Sequence, residues 1–327
     1  MQANDLDKAL NQLAPQLGGS AITDLRRLSG GASQETWAFN LDGGRPLILR
    51  RKPPGTAGVT GTATPLATEA ALIRAAALQG APVPEVLTIC DPGSDVGEAY
   101  VMASVAGETL GKRIARDDNF AAVRPKLAFQ CGEALAKIHA IPLDDSLPPL
   151  NRSSALEELE KYETVYRTLG ARRPIFEAAF RWLKDKAPPL DRPVMLHGDF
   201  RNGNLMFDPE TGLAAVLDWE LVHIGDPAED MGWICTASWR FGGAKPVGGF
   251  GDYADLLAGY EAAGGIPIAL ERVLYWQMLG SLKWGCMCLG MYASFANGTD
   301  PSVERAMIGR RTSETEIDLM ALLERTA

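Results

Sequence analysis

The sequence predicts an α+β fold in two lobes: a small, β-rich N-terminal lobe over residues 1–104 and a larger, α-helical C-terminal lobe over residues 105–327. Three observations predict it. At roughly 150 residues per unit, a chain of 327 makes about two units. Short apolar or alternating runs broken by turn residues fill the first hundred positions, which is strand patterning. After Gly107 the apolar residues recur at helical spacing over long stretches, with a hinge near residues 104–107 between the two patterns.

Taken in order, residues 24–29 read as a strand that enters Ser29-Gly30-Gly31-Ala32-Ser33-Gln34. Residues 36–41 alternate, Asp42-Gly43-Gly44 is a hairpin turn signal, and residues 46–50 form the return strand. Pro53-Pro54-Gly55 and the Gly/Thr/Ala run to Thr64 read as a loop. Residues 65–79 are rich in Ala and Leu and predict a helix stopped by Gly80. Two more strands, 86–90 and 99–103, flank the turn-rich 91–97. Helical patterns follow at 120–140, 154–169 and 174–186. A short strand, 194–196, leads into His197, and 205–207 with 214–217 make a second hairpin. From Ala228 onward the chain reads as mostly helical, and no repeat or low-complexity tract interrupts it.

Composition narrows the chemistry. A net charge of −9 argues against nucleic acid or an anionic membrane surface as a general partner. The five cysteines contain no CxxC pair and accompany only three histidines, so neither a structural zinc site nor a disulfide framework is expected. The N-terminus lacks a basic segment followed by an apolar one, so no signal peptide is read there. The most apolar stretch, 275–295, carries Lys283 and reads as a buried helix and not a membrane span. These features predict a soluble, cytoplasmic protein.

The chemistry concentrates in His197-Gly198-Asp199-Phe200-Arg201-Asn202-Gly203-Asn204, between two short strands. Fourteen residues later a strand ends at Asp218-Trp219-Glu220. A carboxylate, an amide and a second carboxylate thus stand near one another at the ends of paired strands. Phosphoryl transfer needs such a set: one carboxylate orients the acceptor hydroxyl and takes its proton, while an Asn and an Asp hold Mg²⁺ on the nucleotide phosphates.

These residues resemble the aminoglycoside phosphotransferase and choline kinase group, whose fold is protein-kinase-like, and most closely a branch also found fused to certain acyl-CoA dehydrogenases. The loop fits H-G-D-x-x-x-x-N at His197, Asp199 and Asn204, and Asp218-Trp219-Glu220, Gly225-Asp226-Pro227 and Asp230 extend the likeness. The resemblance implies Asp199 as catalytic base, Asn204 and Asp218 as magnesium ligands, and ATP as phosphoryl donor. It implies transfer of the γ-phosphoryl group to a hydroxyl of a small molecule. A phosphate-covering loop is expected at Gly30, Gly31 and Ser33, with adenine near Met102, Ala103 and Val105. Arg50 stands where kinases place a phosphate-binding Lys, with Lys52 as rival, and Glu69 on the following helix is its expected partner. Arg201, two residues after the base, is expected to stabilise the transferring phosphoryl group.

Other residues carry plainer expectations. His197 should brace its loop by hydrogen-bonding backbone near Asp218. His139 reads as a packing or capping residue at a helix end, and His223 as an acceptor-pocket or surface residue. Asp226 and Asp230 are expected to satisfy the first N–H groups of a helix. Trp233, Trp239, Trp276, Trp284, Met278, Met287 and Met291 read as core. If part of that stripe lines the acceptor site, the pocket is apolar and suits a less charged or acyl-type hydroxyl compound better than a polycation. Two rivals stand beside this reading. One is a catalytically weak, nucleotide-binding kinase-like module, kept open by Arg at the Lys position. The other is a metal-assisted hydrolase built on His197 and Asp199.

Overall fold

A computed structural model of the chain describes residues 3–28, 34–52, 64–145 and 147–326. The expected phosphate-loop residues Gly30, Gly31 and Ser33 lie outside the described residues. The N-terminal half opens with helix α1 (Ala3–Leu13) and builds one antiparallel sheet from β1 (Ile22–Arg27), β2 (Glu35–Leu41), β3 (Arg45–Arg51), β4 (Val86–Cys90) and β5 (Ala99–Ala103). The strand order is β1-β2-β3-β5-β4, with helix α2 (Leu66–Leu78) inserted between β3 and β4. At the β2–β3 turn Asp42 and Gly43 both take positive φ, 50° and 71°, the backbone that matches the twist of the strands it joins. Strand periodicity then sorts the side chains of β3. Leu47 and Leu49 point into an apolar cluster with Leu6 and Leu10 of α1, while Ile48 and Arg50 face the opposite way, into the cleft.

The C-terminal half is helical: α3 (Gly111–Arg116), α4 (Arg124–His139), α5 (Ala155–Thr168), α6 (Pro174–Lys186), α7 (Ala228–Cys235), α8 (Tyr253–Ala262), α9 (Leu270–Ala296), α10 (Val303–Gly309) and α11 (Thr312–Thr326). Two small antiparallel ladders sit on it. One is the hairpin of β7 (Leu205–Asp208) and β8 (Gly212–Val216), and the other pairs β6 (Val194–Leu196) with β9 (His223–Gly225). The sequence gives no sign of β9, because three residues are too few for a period to register. The fold is the expected bilobal α+β arrangement. The main core is nevertheless continuous across the hinge: Leu72 and Ile73 of α2 belong to the same buried cluster as Leu135, Phe200 and Trp276.

Helix α5 shows why its start is sharp. The Ser154 side chain accepts from the Glu157 backbone N–H, and Glu157 reaches back to the Ser154 N–H, a reciprocal capping box. Helix α9 is the long central helix of the lobe, buried almost continuously from Val273 to Cys286. Among the described residues no helix is long and apolar enough to cross a membrane.

Candidate active site

The segment from β6 to β7 forms a tight loop whose geometry is set by its backbone. Gly198 has φ +80°, and a Cβ there would lie 2.2 Å from the Leu221 carbonyl oxygen, so a side chain at this position meets both strain and collision. The loop is held from below by Asp230 of α7. Its carboxylate, fully buried, accepts the backbone N–H groups of His197 (2.8 Å) and Gly198 (2.9 Å) and faces His139 Nε2 at 3.2 Å. Burial alone would raise the Asp230 carboxyl, but the hydrogen bonds from His139 and the charges of both histidines hold it below its ordinary value. This corrects one expectation: Asp230 does not cap its own helix but anchors the loop. His139, the last residue of α4, packs, buried between Asp230 and the Tyr260 hydroxyl (3.0 Å). Asp226 does accept a helix N–H, from Ala228, and pairs with Arg272 at 2.7 Å.

His197 braces the loop as its sequence position suggests. Its Nδ1 accepts from the Asp199 backbone N–H (3.2 Å), which leaves Nε2 to donate to the Leu217 carbonyl oxygen (2.9 Å), one residue before Asp218. Both ring nitrogens are engaged, so neither is available to a metal. The hydrolase rival loses its histidine ligand for that reason.

Asp199 is surrounded by donors. Oδ1 accepts from Arg201 Nε (2.9 Å) and Trp233 Nε1 (2.6 Å), and Oδ2 accepts from Asn204 Nδ2 (2.6 Å). Asn204 also donates to the Asp199 backbone oxygen, and its own carbonyl oxygen receives the Leu217 N–H at 2.7 Å, tying loop and hairpin together. The Arg201 guanidinium lies 4.5 Å above the Trp239 ring, which anchors it beside the base.

Across the cleft, Arg50 donates to Asp218 Oδ1 (3.0 Å) and to the Gln34 amide oxygen, and stands 3.7 Å from Glu69. Gln34 in turn donates to Glu69 (2.7 Å), which also takes the Tyr100 hydroxyl. Burial lowers the Arg50 guanidinium, but Tyr100, Glu69 and Asp218 outweigh it and keep it charged. Burial pushes the Glu69 carboxyl up to about 7, against the pull of Arg50 and Gln34. Lys52 points elsewhere, to Glu98 at 3.6 Å, so Arg50 is the cation in the cleft. Gln34 therefore serves the Arg50–Glu69 pair directly. Asp218 holds φ +66°, an uncommon backbone for a residue with a side chain.

Two cavities meet at this set of residues. The first, about 360 Å³, lies between the sheet and the β7–β8 hairpin; Ile48, Arg50, Met102, Ala103, Val105 and Asp218 are on its walls. The second, about 470 Å³, reaches Asp199 from the other side and is walled by Tyr162, His223, Trp233, Trp239, Lys283 and Met291, among others. The Trp/Met stripe therefore divides. Trp276 and Met278 are core, whereas Trp233, Trp239, Trp284, Met287 and Met291 line this second cavity. Sequence reasoning missed Trp233, although its spacing of three from Asp230 puts both on the helix face that meets the loop.

His223 faces an acceptor on each nitrogen, the Leu221 carbonyl (2.9 Å) and Glu229 (3.3 Å), which suits the doubly protonated ring. Burial lowers it, yet Glu229 and the carbonyl raise it to about 9. Among the described residues no group of three His, Cys, Asp or Glu side chains gathers as a metal site. The oxygen donors at the cleft, Asn204 and Asp218, fit Mg²⁺, a hard cation that takes few protein ligands when phosphates and water complete its shell.

Comparison with known proteins agrees with this geometry. The family model for the "Phosphotransferase enzyme family" matches residues 24–272. Acyl-CoA dehydrogenase family member 10 of Mus musculus is 30% identical over 219 residues, 65% of this chain and 20% of that protein. Acyl-CoA dehydrogenase family member 11 of Gallus gallus is 28% identical over 330 residues, 93% of this chain and 41% of that protein. The chain thus spans less than half the length of these relatives. Among solved structures, a Ralstonia eutropha JMP134 protein assigned as an aminoglycoside phosphotransferase superposes with a TM-score of 0.73 at 23% identity, covering 97% of this chain and 98% of that one. Spectinomycin phosphotransferase, solved with ADP and spectinomycin, gives 0.66 at 15% identity with 98% of both chains covered. These structural likenesses give the fold.

Proposed function

The chain belongs to the phosphotransferase enzyme family, and from that premise we propose that it transfers the γ-phosphoryl group of ATP to a hydroxyl of a small molecule, with Mg²⁺ as cofactor. The observation that carries this reading is that Asp199, on the wall of the second, aromatic-lined cavity, is tied through Asn204 and Leu217 to Asp218, which lies with Arg50 on the wall of the first. In this reading the adenine lies against Met102, Ala103 and Val105, and the phosphates run past Arg50 toward Asp199. A nucleotide in the related spectinomycin enzyme supports the assignment. Asn204 and Asp218 would hold Mg²⁺, which supplies charge neutralisation on the phosphates. Asp199 accepts the hydroxyl proton as the acceptor oxygen bonds to the γ-phosphorus and the bond to the β-phosphate oxygen breaks, releasing ADP. Arg201, freed from Asp199, moves its charge to the phosphoryl oxygens. Residues 1–104 and 105–327 act as the lobes that close on one nucleotide, with Gly30, Gly31 and Ser33 covering its phosphates.

The second cavity favours an acceptor that is not a polycation. Its wall carries four cations, Lys161, Arg201, His223 and Lys283, against the carboxylates of Glu158, Asp199 and Glu220, of which Glu158 and Asp199 are already paired with Lys161 and Arg201. Aminoglycosides need clustered carboxylates, so an uncharged or acyl-type hydroxyl compound fits better. The names of the curated relatives, acyl-CoA dehydrogenases, point the same way. Five free, buried cysteines suit a reducing compartment, in keeping with the cytoplasm.

The test is a screen of hydroxyl compounds, including aminoglycosides, choline, sugars and hydroxyacyl compounds, reading magnesium-dependent ADP release. Acceptor-stimulated release in the wild type, lost in Asp199→Asn, is expected. Nucleotide binding without turnover for any acceptor would favour the second reading, a catalytically weak module. Arg50 at the usual Lys position, paired with Asp218, is what keeps that reading alive.

A further inference from the structure

Asp199 must keep its orientation while Arg201 leaves it for the phosphoryl group. A carboxylate has about four lone-pair sites. Both sites of Oδ1 are taken, one by Arg201 Nε and one by Trp233 Nε1, while Oδ2 holds only Asn204 Nδ2. One site on Oδ2 remains, and it is the place where an acceptor hydroxyl can bond. When Arg201 departs, Asn204 and Trp233 still grip the carboxylate at opposite oxygens. Without Trp233, Oδ1 would have no remaining side-chain anchor and the carboxylate could turn.

Trp233 is itself fixed. It is 5% exposed, and its indole packs edge-on against Trp239 with ring centroids 5.2 Å apart. The Lys283 ammonium sits 4.7 Å above its face. Lys283 is 8% exposed and, among the described residues, makes no salt bridge within 4 Å; Tyr162, whose ring is 5.6 Å away, and the carboxylates of Glu229, Glu158 and Asp199 hold its charge against burial, and the indole face lies nearest of the rings. A cation over an indole draws electron density from the ring, which strengthens the N–H as a donor. Two consecutive contacts therefore join three residues, from Lys283 through Trp233 to Asp199. Each lies on the wall of the second cavity.

We infer that Trp233 is a positioning residue for phosphoryl transfer, closing Oδ1 of Asp199 so that Oδ2 alone receives the acceptor proton, with Lys283 supporting the indole in that role. The inference rests on Asp199 as the base, and it adds which of its oxygens works and what holds it. It also gives α7 a single purpose: Glu229 fixes His223, Asp230 fixes the loop backbone, and Trp233 fixes the carboxylate.

Two readouts test it on the full chain. In the first, Trp233→Phe keeps a ring but removes the donor. The expected result is a fall in kcat of roughly 100-fold, the scale of a small misplacement of a reacting group, with the KM for ATP within about threefold of wild type. Lys283→Met should lower kcat by about threefold to tenfold with the same KM pattern, on the scale of one cation–π contact. In the second, the indole N–H resonances are followed in protein labelled with ¹⁵N-tryptophan, Trp233→Phe identifying the signal of interest. In Asp199→Asn that resonance should move upfield as its acceptor loses charge. A folded Trp233→Phe enzyme with wild-type kcat overturns the inference, as does a Trp233 resonance indifferent to Asp199→Asn. Should Trp233→Phe fail to fold, Lys283→Met and a selectively assigned resonance decide in its place. If the wild type turns over no acceptor, it is the phosphotransfer reading that falls, and the resonance alone then tells whether Trp233 holds Asp199.

Discussion

The two cavities on either side of the Asp199–Asp218 segment are built on opposite principles. The one between the sheet and the hairpin is organised by charge: Arg50, Gln34, Glu69, Tyr100 and Asp218 form a hydrogen-bonded chain that crosses the cleft. The one on the α7–α9 side is organised by aromatic faces, with the buried Lys283 ammonium resting on the Trp233 ring. A site that reads invariant phosphates gains from preset charged donors, whereas a site that reads a variable acceptor is defined by shape and the few polar atoms on its wall. The difference teaches where to look for each kind of specificity.

The contrast can be broken or sharpened by substitution. Asp199→Asn removes the proposed base on the wall of the second cavity and should have the largest effect, a loss in kcat on the order of 10³-fold, with Mg-ATP binding changed little as measured by calorimetry. Arg50→Met touches only the charged side and should cost roughly 30- to 100-fold in kcat/KM for ATP, while Arg50→Lys recovers part of it and leaves the KM for the acceptor unchanged. Asp230→Asn tests the platform beneath both. It weakens two buried charge-assisted hydrogen bonds to backbone, and chemical denaturation should show a loss of about 3 kcal/mol.

A smaller effect follows from pH. Glu69, raised by burial from 4.5 to about 7, keeps its proton in the folded chain over a range in which the unfolded chain has released it. Stability therefore falls as pH rises between those values, by at most about 1.4 kcal/mol per unit, and the ion pair with Arg50 completes only toward the upper end. Glu69→Gln should flatten that slope in denaturant titrations at successive pH values; an unchanged slope would remove Glu69 as its source. The smallest effect is expected for Lys52→Ala, within about 0.5 kcal/mol and with kcat/KM for ATP essentially intact, because its pairing with Glu98 is largely exposed.

Much of this was legible in the sequence, for identifiable reasons. The D-x-x-x-x-N spacing and the second Asp at a strand end mark a local geometry, and the period-two pattern of β3 suffices to turn Arg50 toward the cleft. What escaped depends on tertiary contact. Asp230 looked like a cap, because a carboxylate near a helix start has that role whenever nothing else reaches it, and here the loop reaches it first. His139 does end its helix, but its partners were not legible, because Asp230 and Tyr260 lie 91 and 121 residues away. Trp233 looked like core, since helical spacing marks which face is covered without saying whether protein or substrate covers it.

The Arg50–Asp218 contact has a consequence for how a nucleotide enters. The cleft brings its own counter-ions, so under the proposed function a magnesium nucleotide would trade places with an internal pair, its phosphates taking the guanidinium and its cation the carboxylate. Binding then becomes an exchange of ion pairs in which metal and phosphate must arrive together. Neither alone gives both halves of the severed pair a new partner.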